Sequence, residues 1–192
     1  MIAELKRRAA HPSCKPLAYC PGITKPLKKG QTPFAAVLSC ADSRVLPEKI
    51  FKLKKRGELF VVRVDGNVAN TDAIASMQFA VKALGVRVIV VMGHESCGAV
   101  SNAVEYCGTT PPEHGWPTAS LFHLFDQICR AVGPRRPKDT NKDFVKRNAN
   151  TTAYQMQSDP EYLGHSGVVV VPAYYSYSTD SVEWLDAVQV AT

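Results

Sequence analysis

The sequence predicts an α/β fold in which helices flank a mainly parallel β-sheet. Three apolar runs, at 34–39, 59–64 and 86–92, have the composition of strands that are buried on both faces. Helical patterns lie between these runs, and strands that alternate with helices form parallel sheets with right-handed crossovers. Because 192 residues with 45% hydrophobic content can bury one sizeable core, we expect a single domain over 31–192 behind an N-terminal arm over 1–30.

The N-terminal arm is expected to lie outside the core. Residues 1–11 have helical composition without a strong core face, and the following segment, 12–31, is rich in Pro, Gly and Lys. Cys14 and Cys20 lie in this arm at a spacing that matches no common zinc pair. Free thiols are the favoured interpretation, and a second metal site or a disulfide is the alternative.

The first two strands have clear local boundaries. The first follows Pro33 and ends directly at Cys40, and Pro47 occupies the first turn of a short helix behind it. The second strand closes at 65–67, an Asp-Gly-Asn turn signal. Cys40 is therefore predicted to lie at the carboxyl end of a buried strand.

A helix separates the second strand from the third. Asn70 or Thr71 can cap its start, and Gly85 ends it after about Leu84. Phe79 lies off the core face of this helix. The predicted later elements are helices over 99–106, 118–132 and about 142–156, a strand over 167–171, and an edge hairpin of 174–177 with 182–185.

Charge and cysteine content narrow the function classes. The net charge of +6 is spread over basic clusters without interleaved aromatics or a reading motif, which favours solvated faces over a nucleic-acid partner. Steering of an anionic substrate is the alternative.

No apolar run approaches the roughly 20 residues of a membrane helix. With no secretory signal before the six cysteines, we expect a reducing compartment, the cytoplasm, or an organelle if a transit peptide was removed. The roles of Cys107 and Cys129 stay open.

Cys40, His94 and Cys97 form a candidate metal site. Cys40 follows the first strand, and His94 and Cys97 follow the third, so the carboxyl ends of two parallel strands deliver all three. Two thiolates and one imidazole are the ligands of a catalytic Zn²⁺ that keeps an open fourth position. The alternatives are a structural zinc or unligated core residues. Asp42 and Arg44 add a carboxylate and a cation beside the site, or else form a plain ion pair.

At these motifs the sequence resembles the β-class carbonic anhydrases. The similarity lies in Cys40-Ala-Asp-Ser-Arg44, in Gly57-Glu-Leu-Phe-Val-Val-Arg63, in Gly66-Asn67 and in Gly93-His-Glu-Ser-Cys-Gly98, with a weaker match at 172–175. The resemblance implies the family's parallel sheet flanked by helices. It also implies a homodimer or a multiple of dimers, with active sites at the dimer interface.

The resemblance assigns roles to individual residues. Cys40, His94 and Cys97 would hold Zn²⁺, and Asp42 and Arg44 would form a catalytic dyad that orients zinc-bound hydroxide. If the dyad breaks, Asp42 can become a fourth ligand and close the site. The open type is favoured, because a Gly-rich sequence for inhibitory bicarbonate is not evident after Cys97. The candidate substrate-binding residues are Gln31, Phe60, Phe79 and Gly98, and packing roles are equally favoured for Gln31 and Phe79.

The expected activity is reversible hydration of CO₂ to bicarbonate and a proton. Two alternatives stay open: a carbonyl sulfide or carbon disulfide hydrolase with the same zinc site, and a catalytically weak homologue that acts as a binding or scaffold subunit. Asp65 motivates these alternatives, because the family usually has Ala or Val there, lining the CO₂ pocket. A buried, unpaired carboxylate would be costly. Asp65 therefore turns to solvent, pairs with a base such as Arg63, or lines a pocket for another substrate.

Overall fold

The predicted α/β architecture is confirmed by a computed structural model that describes residues 1–9, 28–110, 117–158 and 167–186. A five-stranded sheet has the order β2-β1-β3-β4-β5. Its first four strands are parallel, and β5 pairs with β4 in the antiparallel sense. The strands are β1 (Ala35–Ser39), β2 (Leu59–Arg63), β3 (Val88–His94), β4 (Val169–Ser176) and β5 (Ser181–Trp184).

The helices lie close to their predicted positions. Asn70 caps the helix after β2 by accepting a hydrogen bond from the Ala73 amide at 2.9 Å, and a short 3₁₀ turn, Asp65–Asn67, precedes it. In the described segments, no helix combines the length and the apolar character that crossing a membrane requires. The helices are α1 (Ile2–Ala9), α2 (Pro47–Ile50), α3 (Thr71–Lys82), α4 (Gly98–Tyr106), α5 (Ala119–Val132) and α6 (Asn141–Ser158).

Both faces of the sheet are buried, as continuous apolar strands require. On one face, Leu38 and Val91 pack with Met77 of α3 and with Ala153 of α6. On the other face, Val37, Val90 and Met92 pack with Leu5 and Phe51. A third cluster lies at the carboxyl ends of β1 and β3, where side chains of α4, α5 and α6 surround Cys40 and Cys97.

The N-terminal helix contributes to the core, so the expectation that the arm lies outside it is wrong for α1. Leu5 is fully buried in the cluster that contains Phe51, and Ile2 packs against the same cluster. Residues three apart lie on the same face of a helix, so Ile2 and Leu5 together dock α1 on the sheet. Cys14 and Cys20 lie outside the described residues.

One strand replaces two predicted pieces around Pro172. The sequence separates 167–171 from 174–177, but β4 runs unbroken through both pieces. The Pro172 carbonyl accepts a hydrogen bond from Leu185 beyond the end of β5. Since the nitrogen and oxygen of one strand residue point the same way, the missing N–H faces the short edge strand and leaves the ladder to β3 intact. The predicted hairpin itself is confirmed.

A disulfide joins Cys107, just after α4, to Cys129 in α5. The sequence left the roles of Cys107 and Cys129 open, and the structure joins them in this bridge. Helices α4 and α5 pack against each other in the third cluster, which brings together cysteines 22 residues apart. A bridge of this kind needs oxidising conditions to persist.

Gly93 lies where α6 crosses the end of β3. A Cβ atom there would lie 2.6 Å from Val145 Cγ1 and 3.3 Å from the Val145 carbonyl oxygen. Valine is stiff at χ1, and its carbonyl cannot retreat unless α6 moves. We therefore expect Gly93→Ala to lower the free energy of unfolding by about 1–3 kcal/mol, measured by urea denaturation. In the control Gly30→Ala the new methyl group meets open space, and a change within about 0.5 kcal/mol is expected. Equal stability of the two variants would contradict this packing.

Candidate metal centre

The structure brings Cys40, His94 and Cys97 together at the carboxyl ends of β1 and β3. These strands are parallel neighbours with Ser39 opposite Met92, so Cys40 emerges beside the end of β3. One ligand atom from each of the three residues lies within 4.8 Å of the other two. The two sulfur atoms are 4.0 Å apart. All three residues are at least 97% buried, so the cluster could hold a metal ion away from bulk solvent.

The short segment between His94 and Cys97 turns sharply. His94 is the last residue of β3, and Cys97 is the N-cap residue of α4. Ser96 adopts a left-handed conformation with φ of 51°, which is uncommon for a residue other than glycine. The turn lets both side chains face the cluster.

The imidazole of His94 presents one free nitrogen to this cluster. Nδ1 lies 2.9 Å from the Glu95 carbonyl oxygen and 2.7 Å from the Tyr177 hydroxyl. Nε2 is buried and has no hydrogen-bond partner among the described residues. A buried nitrogen without a partner is costly. Ligation of a metal by Nε2 would satisfy it, so the donor set fits a metal ion.

Cys40 lies in an environment that favours the thiolate. Its sulfur accepts hydrogen bonds from the Asp42 amide at 3.4 Å and from the Gly66 amide at 3.3 Å. The hydrogen bond with Cys97, together with these amides, lowers the pKa of Cys40, whereas the same partner and burial raise the pKa of Cys97. Gly66 fits there only as glycine, since its φ is +63° and a Cβ would lie 2.6 Å from Ile128 Cδ1.

Asp42 and Arg44 form a bidentate pair next to the cluster. Arg44 Nε donates to Asp42 Oδ1 at 2.9 Å, and its terminal nitrogen donates to Oδ2 at 2.6 Å. The Arg44 amide also donates to Oδ1. Arg44 thus holds the pKa of Asp42 well below its usual range. Oδ2 lies 4.0 Å from His94 Nε2, which places this carboxylate on the side of the cluster that Nε2 faces.

Asp65 does not pair with Arg63. The Arg63 guanidinium instead donates to the carbonyl oxygens of Cys40, Ala41 and Asp42, at 2.6 to 3.2 Å, and so holds the loop after β1. Asp65 is exposed, and its Oδ1 lies 3.8 Å from Cys40 Sγ. The residue as a whole is exposed, but partial burial of its carboxyl group, together with the nearby Cys40 charge, raises the pKa of Asp65. Of the three predicted alternatives, the turn toward solvent describes Asp65 best, although one oxygen stays at the edge of the site.

The four candidate substrate-binding residues occupy different environments. Gln31 is exposed ahead of β1. Phe79 is 53% exposed on α3, as its position off the core face predicts, and its ring centroid lies 6.4 Å from that of half-buried Phe60. Gly98 opens α4, and a Cβ there would meet no atom within 4 Å. Their substrate contacts stay predictions.

Sequence reasoning missed two residues that join the site to the β4–β5 hairpin. Tyr177 reaches His94 across the sheet, and Glu95 binds the hairpin. Hydrogen bonds from Ser178 and Ser176 lower the pKa of Glu95 to about 2, so its carboxylate is ionised near neutral pH. Two local signals pointed to them: Glu95 lies inside the Gly93–Gly98 motif, and Tyr177 ends the tyrosine-rich run at 174–177.

The fold and the buried Cys-His-Cys cluster define an α/β protein that can bind a metal ion at the carboxyl ends of neighbouring parallel strands. A family model described as carbonic anhydrase matches residues 35–182. The chain belongs to the carbonic anhydrase family and has the fold of its β class.

Individual relatives agree with this assignment. The chain is 47% identical over 78 residues to carbonic anhydrase 2 of Mycobacterium tuberculosis, a match covering 41% of this chain and 37% of that protein. It is 43% identical over 147 residues to a carbonic anhydrase of Mycolicibacterium smegmatis, covering 74% and 69%. A structure from a study of two tetrameric β-carbonic anhydrases of Sordaria macrospora aligns with a TM-score of 0.68 at 20% identity, covering 83% and 84%. The match to the Mycobacterium tuberculosis protein thus spans little more than a third of that protein's length.

Proposed function

We propose that the protein catalyses the reversible hydration of CO₂ to bicarbonate and a proton with zinc held by Cys40, His94 and Cys97. The observation that carries the proposal is the unpartnered Nε2 of His94, which faces two buried sulfur atoms and an ion-paired carboxylate. Membership of the carbonic anhydrase family supports the same reaction.

The spacing of the donor atoms supports zinc as the metal. Tetrahedral zinc, with bonds of about 2.3 Å to sulfur and about 2.0 Å to nitrogen, places its ligand atoms roughly 3.6–3.8 Å apart. The sulfur atoms of Cys40 and Cys97 are 4.0 Å apart and the three ligand atoms lie within 4.8 Å of one another, so the side chains would have to move closer together to hold zinc. Three protein ligands leave a fourth position for water or substrate.

When bound, zinc supplies the Lewis acidity that makes water a nucleophile near neutral pH. Asp42 would accept a hydrogen bond from the attacking water and so direct a lone pair toward the carbon of CO₂. Arg44 would keep Asp42 ionised and hold its two oxygens in place, because a bidentate pair fixes orientation as well as charge. Release of this pair would free Asp42 to ligate the metal, which is the closed state that the family resemblance implies.

We also propose that the protein assembles as a homodimer or a multiple of dimers. Phe79 and Phe60 support this, since an aromatic pair with one ring more than half exposed is suited to contact a second chain or a substrate. The tetrameric Sordaria enzymes set a precedent for assembly in this fold.

Stopped-flow CO₂ hydration with metal analysis tests the proposed reaction. We expect about one zinc per chain, because each chain supplies one three-ligand site. A chelator should abolish CO₂ hydration, and added zinc should restore it. Hydrogen sulfide release from carbonyl sulfide is measured on the same sample. Sulfide release without hydration would assign the site to the alternative hydrolase, and zinc binding without either activity would identify a catalytically weak homologue. Light scattering on this sample gives the assembly mass.

A further inference from the structure

Tyr177 contacts two functional parts of the site at once. Its hydroxyl lies 2.7 Å from Nδ1 of His94, and its ring centroid lies 4.6 Å from the guanidinium carbon of Arg44. The residue follows β4 in the turn that leads to β5, 83 residues beyond His94. One side chain therefore links a candidate metal ligand to the arginine of the dyad.

The backbone on either side of Tyr177 is tied to the residue that follows His94. The Glu95 carboxylate accepts hydrogen bonds from the Ser176 hydroxyl at 2.8 Å, and from the Ser178 amide and hydroxyl at 2.9 and 2.6 Å. The Glu95 amide donates to the Tyr175 carbonyl at 2.8 Å. Since the flanking residues are anchored in this way, the position of the Tyr177 hydroxyl is determined by bonds to the ligand strand itself.

The Glu95 carbonyl can only accept and so favours the His94 tautomer with its proton on Nδ1, and the Tyr177 hydroxyl is placed to accept from the same proton. If Nε2 ligates a metal, the ring proton resides on Nδ1, which then donates to the Glu95 carbonyl and to the Tyr177 oxygen. The contact with Tyr177 is the shorter of the two. Outer partners of this kind fix the rotation of a ligating imidazole and strengthen it as a ligand.

We propose that Tyr177 is a positioning residue that orients His94 for metal binding through its hydroxyl, while its ring supports Arg44 beside the cluster. The inference rests on the proposed function only in taking His94 as a zinc ligand. It concerns affinity for the metal, so it can be tested without an activity assay.

The test compares zinc affinity in wild-type protein and in Tyr177→Phe by competition with a chromogenic chelator. Phenylalanine keeps the ring face beneath Arg44 and removes only the hydroxyl. We expect affinity to fall about 10-fold, the lower end for loss of an outer partner, because the Glu95 carbonyl still accepts from Nδ1. The visible spectrum of the cobalt-substituted protein should also shift, since it reports ligand geometry at the metal.

Tyr175→Phe is the matched control. Its hydroxyl donates to Asp180 at 2.9 Å within the same hairpin, and its ring packs edge-on against Tyr177, so the variant tests a general role of the hairpin. We expect wild-type zinc affinity and an unshifted cobalt spectrum. The inference is overturned if Tyr177→Phe, folded by circular dichroism, binds zinc as wild type does, or if Tyr175→Phe loses as much affinity. Failure of the proposed function looks different: the wild-type chain would bind zinc without hydrating CO₂.

Discussion

Replacement of Cys40 by alanine is expected to abolish stoichiometric zinc binding and to lower kcat/KM for CO₂ hydration by roughly 10³-fold or more. The loss follows from the several kcal/mol that a Lewis-acidic metal contributes to the transition state, at about 1.4 kcal/mol per tenfold in rate. The Cys40 sulfur also accepts hydrogen bonds from the backbone amides of Asp42 and Gly66. Its replacement therefore removes a ligand and, with it, an acceptor for two loops beside the site. Zinc per chain by elemental analysis and stopped-flow hydration are the measurements.

The Cys107 and Cys129 pair supplies the control for cysteine loss. A double variant with alanine at both positions removes a disulfide between α4 and α5 and none of the three ligands. Opening a loop of this size costs roughly 3 kcal/mol of stability, but zinc content should stay at the wild-type value. If Cys40→Ala retains one zinc per chain while the double variant loses it, the metal site has been assigned to the wrong cysteines.

The convergence of the three ligands could be predicted because it depends on local signals and one rule of topology. Each ligand adjoins an apolar run that reads as a buried strand, and parallel strands end at the same edge of a sheet. The sequence did not predict that β1 and β3 are neighbours in the sheet, which the structure shows. The bidentate Asp42–Arg44 pair is likewise local, since the two residues are two positions apart.

The remainder depends on contacts between distant segments that leave no local pattern. Tyr177 looks like one more aromatic residue of an edge hairpin, and only the anchoring by Glu95 brings it to His94. The burial of Leu5 and the pairing of Cys107 with Cys129 likewise depend on how helices dock. At Pro172 the local rule misled, because a proline interrupts a strand only where its missing N–H faces a required partner.

Asp42→Asn is expected to lower kcat by about 10²–10⁴-fold while zinc content stays at one per chain, the range for loss of a positioned proton acceptor. Asparagine keeps the shape of the side chain. It loses the charge, however, and presents an amide donor where an acceptor is required. It also gives up one half of the bidentate pair with Arg44, so orientation is lost together with charge.

The pH dependence follows from the depressed pKa of Asp42. A carboxyl whose folded pKa lies below its unfolded value of about 3.9 stabilises the protein above that value. This contribution is lost as the pH falls through the folded pKa. Asp42 therefore stays ionised across an assay range of about pH 6–9, and no step in the wild-type rate profile there comes from its protonation. The rate of Asp42→Asn should be lower by a similar factor throughout that range.

A second bidentate pair elsewhere in the chain separates catalysis from stability. Arg147 donates to both oxygens of Asp139, at 3.0 and 2.7 Å, and this pair also lowers the pKa of its carboxyl, to about 2. Asp139→Asn likewise removes the charge of an arginine-paired carboxylate, but it does so just before α6 and away from the Cys-His-Cys cluster. It should therefore lower stability and leave kcat within about twofold of wild type. Equal losses of kcat in Asp42→Asn and Asp139→Asn would mean that the Asp42–Arg44 pair supports the fold rather than the reaction. A loss confined to Asp42→Asn, with zinc retained, would place that carboxylate at the reacting atoms.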